Sequence, residues 1–123
     1  MKRTLIATAA GICVLLSHPA VFAQKVDAES AKAAAKQGGC LNCHEIDKKT
    51  TSFGTIGTSL AHFGKIRGYG PEIQKYVYGK IYNAKAFNLC SKMPRFGHSE
   101  TLTEDEIKDL VALLLDPNSP VNK

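Results

Sequence analysis

Cys40-Leu41-Asn42-Cys43-His44 sets two thiols two residues apart, with an imidazole directly after the second. That pattern is the attachment site for c-type haem. Each sulfur can form a thioether to one of the two vinyl groups on a porphyrin edge. The following His can then swing under the ring to ligate iron. A bare C-x-x-C also serves as a redox dithiol or as half of a zinc site. Zinc would want a second ligand pair at comparable spacing, and the chain offers Cys90 with scattered His62 and His98. A thioredoxin-like dithiol would want a βαβ context, and no such pattern follows the motif. The expected chemistry is therefore one covalently bound haem c, with Cys40 and Cys43 as attachment points and His44 as the proximal iron ligand.

The sixth position on iron has four candidates: Met93, His62, His98 and an open site. Met93 lies on a late loop that can cross the porphyrin after an intervening helix, and Pro94 stiffens that loop. A lone Met is often a core gap-filler, but this one sits in the polar run Ser-Lys-Met-Pro-Arg. Met93 is the expected distal ligand, and His/Met ligation raises a haem's reduction potential relative to bis-His. His62 and His98 are expected to be exposed loop residues. No nucleophile, acid–base pair or oxyanion device surrounds the motif, so no catalytic residue is expected in the chain.

The elements that must position these residues read as helices. Asp27 can cap a helix over 28–37, and Ala31, Ala34 and Ala35 give it a face of small side chains on which a last helix can lie. Gly38-Gly39 ends it and leads Cys40 toward the haem edge. Residues 47–70 read as a glycine-punctuated loop anchored by Phe53, Ile56, Leu60, Phe63 and Ile66. Pro71 suits a helix N1 position, and Ile73, Tyr76, Val77 and Ile81 recur at helical spacing behind it. Tyr78 and Tyr82 fall on another side of that helix. Asn83 to Asn88 opens a second irregular stretch that holds Cys90 and Met93. The last helix carries a capping box, Thr103 with Glu106, and a staple, Leu102 with Ile107. Ile107, Leu110, Val111 and Leu114 make its core stripe, Leu113 and Leu115 fall outside it, and Asp116-Pro117 stops it. No strand pattern competes, so an all-α domain of three main helices and long loops around one haem is expected.

Residues 1–23 read as a cleaved export signal, leaving a cytochrome-sized domain over 24–123. Lys2 and Arg3 are basic, Leu5 to Leu16 is apolar, and Val21-Phe22-Ala23 offers a cleavage site. Ile12 before Cys13 is a poor match to the small residue a lipoprotein signal wants. The apolar run is too short to span a bilayer, so a periplasmic protein without a membrane span after cleavage is expected. The whole chain has 16 basic and 11 acidic residues, a formal charge of +5. Nine of the basic residues, Lys80, Lys85, Lys92 and Arg95 among them, lie between Lys48 and Arg95 with Glu72 as the single acid there. Six acids and only Lys108 lie between Glu100 and Asp116. Such a dipolar surface steers partners toward one side. Nucleic acid is not an expected partner at this net charge.

The haem motif, looped middle, Met-Pro loop and closing helix together resemble a class I cytochrome c. Ile56-Gly57-Thr58-Ser59-Leu60, Gly64-Lys65-Ile66-Arg67, Met93-Pro94-Arg95-Phe96-Gly97, Leu102-Thr103 with Ile107, and the ending from Asp116-Pro117 to Ser119-Pro120-Val121-Asn122-Lys123 are similar to the SoxX family. The likeness covers most of residues 38–123. It implies a monohaem electron-transfer subunit of a SoxAX complex, paired with a larger c-type cytochrome, SoxA, that carries the active site. Such a complex joins thiosulfate oxidatively to a cysteine of the carrier SoxYZ, and SoxX passes the electrons to a soluble cytochrome. A free-standing cytochrome c that shuttles electrons to a terminal oxidase is the alternative, and a small haem peroxidase with an open distal site is a third class. Two positions depart from the pattern. Class I cytochromes commonly place Pro where Thr58 stands, its carbonyl accepting a hydrogen bond from the proximal His, so a looser hold on His44 is expected. Cys90 is a leftover thiol, read either as a partner-bonding or free cysteine or as a small buried apolar side chain.

Overall fold

A computed structural model of the chain describes residues 27–46 and 56–123. The expected export signal, together with Lys48, Lys49 and Phe53, lies outside the described residues. Four α-helices follow in order: α1 Ala28–Gln37, α2 Phe63–Arg67, α3 Pro71–Tyr82 and α4 Glu104–Leu115. Single 3-10 turns occur at Cys40–Asn42, Ala84–Ala86 and Pro120–Asn122, and no strand occurs among the described residues. The fold is all-α with three main helices, as the periodicity predicts.

The principal seam is α1 against α4. The Asp27 carboxylate accepts from the Glu29 and Ser30 N–H groups and starts α1. Ala31, Ala34 and Ala35 are buried, and their small side chains let the backbone of α4 come close. Ile107 and Val111 fill the seam at 0% and 2% exposure. Ser30 Oγ donates to the buried Asp109 carboxylate at 2.5 Å, and Gln37 Nε2 donates to the Thr101 carbonyl at 3.0 Å. The α4 N-terminus is capped as expected: Thr103 Oγ1 accepts from Glu106 N–H, and the Glu106 carboxylate accepts from Thr103 N–H at 2.7 Å.

Leu113 and Leu115 depart from the sequence reading, since both are buried, at 3% and 4% exposure. One apolar stripe was expected, but α4 is covered on several sides. It also meets α3, α2 and the C-terminal 3-10 turn. The loop anchors need correction too. Leu60 and Phe63 pack on the core, whereas Ile56 and Ile66 stand 78% and 73% exposed. The part of the expected loop from Phe63 to Arg67 is a short helix, and its inward side is taken by Phe63 and Gly64, which leaves Ile66 facing out. Tyr78 and Tyr82 stack on each other at 6.0 Å between centroids.

The C-terminus is a structural clasp. Asn122 is fully buried, its Oδ1 accepting from the Gly64 N–H at 3.0 Å. Its Nδ2 donates to the Leu114 and Asp116 carbonyls, both at 2.9 Å. One amide side chain thereby ties the α2 segment to the end of α4.

Candidate functional site

The thiol motif is built on a tight turn. Gly39 has φ 66°, a left-handed conformation that a side chain would resist, and it turns the chain out of α1 into Cys40–Asn42. The Cys40 carbonyl then accepts from both the Cys43 N–H, at 3.2 Å, and the His44 N–H, at 2.8 Å. Both thiols and the imidazole therefore ride on one turn. Burial pushes the Cys40 thiol pKa up, and the neighbouring Cys43 adds to that rise, against the lowering effect of a backbone hydrogen bond. Reactive dithiols have the opposite character, a thiolate stabilised near neutral pH.

His44 is held from two directions. Its Nδ1 meets the Thr58 carbonyl at 2.7 Å. A carbonyl oxygen can only accept, so Nδ1 carries the proton and, in the neutral ring, Nε2 is the acceptor nitrogen. With Thr58 in place of Pro the carbonyl is kept, and its hydrogen bond to the ring is short and formed. Gly57 supplies the second restraint. A Cβ built there would stand 2.4–2.8 Å from three atoms of the imidazole ring, so only glycine lets the backbone lie against it. The Gly57 N–H in turn donates to the Cys43 carbonyl at 2.8 Å, and the Leu60 N–H to the Glu45 carbonyl at 2.7 Å. The loop carrying Thr58 is thus bonded, residue by residue, to the motif it supports.

A cavity of about 310 Å³ opens beside this turn. Cys40, His44 and Thr58 border it on one part of the wall, and Met93 with Phe96 on another. Leu60, Phe63, Val77, Ile81, Leu110 and Leu114 also line it, and the cavity is strongly apolar. Leu113 lines it as well. Cys43 is half-buried and does not border the cavity, although it shares the turn with Cys40. Met93 is half-buried and packs on the core. Its loop is shaped locally: Asn88 Oδ1 accepts from the Cys90 N–H at 2.9 Å, and Ser91 Oγ from the Met93 N–H at 3.2 Å. The Phe96 carbonyl anchors the far side by accepting from Thr101 and Leu102.

The structure thus brings Cys40, His44 and Met93 to one cavity and leaves the rival histidines off its wall. His98 is exposed as expected. His62 is not: it is half-buried at the start of α2, with φ 56° and a buried Nδ1. Cys90 is exposed, which removes its reading as a buried apolar side chain. Among the described residues no three His, Cys, Asp or Glu side chains converge as a metal cluster. The donor set at the cavity is instead one imidazole nitrogen, one thioether and a thiol on an apolar wall. That set fits a haem, whose ring is a broad apolar body.

Lys80 is the site residue that the sequence reading misplaced. It counts there as part of a basic surface, yet it borders the cavity. The signal was present: position 80 lies four residues after Tyr76 and three after Val77, within the same helical stripe.

No family model matches the chain. An uncharacterized lipoprotein of Aquifex aeolicus (strain VF5) is 44% identical over 92 residues, a stretch that makes up 75% of this chain. The matched stretch is 43% of the length of that protein, so the chain spans under half of the relative it resembles.

Proposed function

We propose that this chain is an exported monohaem c-type cytochrome that transfers electrons, as the SoxX-like subunit of a thiosulfate-oxidising SoxAX complex. The observation that carries the haem reading is the apolar cavity bordered by Cys40, His44 and Met93, with the His44 Nδ1 proton committed to the Thr58 carbonyl. In this reading Cys40 and Cys43 hold the haem covalently, and His44 and Met93 ligate its iron. The bound haem supplies a one-electron store. The chain's own residues orient and insulate it. The Thr58 carbonyl fixes the imidazole tautomer and raises its basicity as a ligand. Gly57 keeps the ring from turning, and the leucines of α4 with Val77 and Ile81 exclude water. The narrower assignment to a Sox complex rests on the sequence resemblance. Likeness to a protein named a lipoprotein supports export of this chain, and a periplasmic location goes with that reading.

The partner is the larger SoxA-type cytochrome, which holds the active site, with SoxYZ as carrier and a soluble cytochrome as electron acceptor. Affinity purification from the native host separates this reading from a free-standing shuttle. A stoichiometric larger c-type cytochrome, and thiosulfate-dependent reduction of the haem in the reconstituted pair, are the expected results. A lone haem monomer that is oxidised by a terminal oxidase and unaffected by thiosulfate would replace the Sox assignment with the shuttle.

A further inference from the structure

A haem is apolar except at two neighbouring propionates, which are anionic at neutral pH. Among the described residues, Lys80 is the one Lys, Arg, Asp or Glu side chain on the wall of the apolar cavity. Its Nζ lies over the Phe87 ring at 5.1 Å and the Tyr76 ring at 5.8 Å. Those two rings meet edge to face at 5.4 Å, so the ammonium is steered by a fixed aromatic corner. Phe87 is 48% exposed, which places this corner where the cavity approaches solvent. Among the described residues no carboxylate lies within ion-pair distance of Lys80, the one such pair there being Lys108 with Asp105. Ring faces attract a cation but accept no charge-assisted hydrogen bond as strong as one to a carboxylate.

We infer that Lys80 is the binding residue for one haem propionate, held in place by Tyr76 and Phe87. The inference rests on the haem reading above and adds a residue to it. The thioethers fix the vinyl edge at the Cys40 turn, and a cation at a solvent-near corner fixes a propionate. The other titratable side chains on the wall among the described residues are Cys40, His44 and Tyr76. The α4 groups Glu104, Asp105 and Lys108 act on Tyr78, which does not border the cavity. Lys85, on the Ala84–Ala86 turn that follows α3, is exposed and off the wall.

The test uses the haem-loaded full chain carrying ¹³C-labelled propionate carboxylates, as wild type, Lys80→Gln, Lys80→Arg and Lys85→Gln. Carboxylate shifts followed by NMR against pH read the two propionates separately. In the wild type one propionate should titrate about 1 pH unit or more below the other, because a cation at contact favours the carboxylate. Lys80→Gln should abolish that gap and lower the reduction potential, Lys80→Arg should restore both, and Lys85→Gln should leave the gap in place. Where Lys80→Gln fails to fold, Lys80→Met, which keeps the apolar stem of the side chain and removes its charge, carries the same test. Two propionates that titrate together in the wild type, or a gap that survives Lys80→Gln, would overturn the role of Lys80 while leaving the cytochrome reading intact. A wild-type chain with no covalent haem would overturn both.

Discussion

At the scale of single residues, the site depends on contacts that leave little slack around His44. The ring is wedged between the Thr58 carbonyl and the Gly57 backbone. Gly57→Ala should therefore displace the imidazole and give a haem protein with a perturbed or high-spin spectrum, read by absorption spectroscopy; an unaltered low-spin spectrum would show that the ring can yield. Met93→Ala should open the sixth position, remove any sulfur-to-iron band near the red end, and lower the potential. If the spectrum of that variant matches wild type, another residue ligates iron. Cys90 is exposed, so the folded haem protein should present a single thiol to a water-soluble thiol reagent, lost in Cys90→Ser. That Cys40 and His44 lie close together was legible because their spacing sets both on one turn; that Cys43 shares the turn but not the cavity wall was not. Thr58 was half legible: its carbonyl could be foreseen, but whether that carbonyl sits in bonding reach depends on the Gly57–Cys43 and Leu60–Glu45 backbone bonds, which no side-chain pattern announces. Lys80 was misassigned because charge was read ahead of register.

At the scale of elements, the α1–α4 seam carries most of what holds the domain and one part of the cavity wall. Removing the α4 cap with Thr103→Ala should cost about 1 kcal/mol, measured by denaturant unfolding of the loaded protein. Leu110→Ala, which takes a side chain 4% exposed from both seam and cavity, should cost about 2–5 kcal/mol. Unfolding midpoints equal to wild type would mean that haem, not this seam, governs stability. Asn122→Ala strands the Gly64 N–H and two α4-end carbonyls, a loss of about 1–3 kcal/mol for each buried group left unpaired. Helix existence, caps and the Ala face of α1 were all readable, since local grammar decides them. The burial of Leu113 and Leu115 was not, because it follows from elements that approach α4 from several directions. The exposure of Ile66 likewise follows from the short helix α2, whose five residues are too few to show a periodicity.

At the scale of the whole molecule, an aliphatic and aromatic shell surrounds a cavity with an imidazole, a thiol and a thioether on its wall, and the described surface is basic along α3 and the Met93 loop and acidic at the start of α4. Removing charge from exposed Lys85, Lys92 or Arg95 should weaken reduction by an acidic partner at low salt, and added salt should shrink the difference, since charges beyond about 8 Å are largely screened at physiological ionic strength. All of this rests on a haem bound through two thioethers. Intact mass spectrometry of the exported protein, made in a host with c-type haem maturation, reads that directly. One haem per chain, retained after denaturation and absent from the Cys40→Ser, Cys43→Ser double variant, is the predicted result. A wild-type mass equal to the bare polypeptide, with the two thiols free, disulfide-bonded or holding zinc, would contradict the account at its centre.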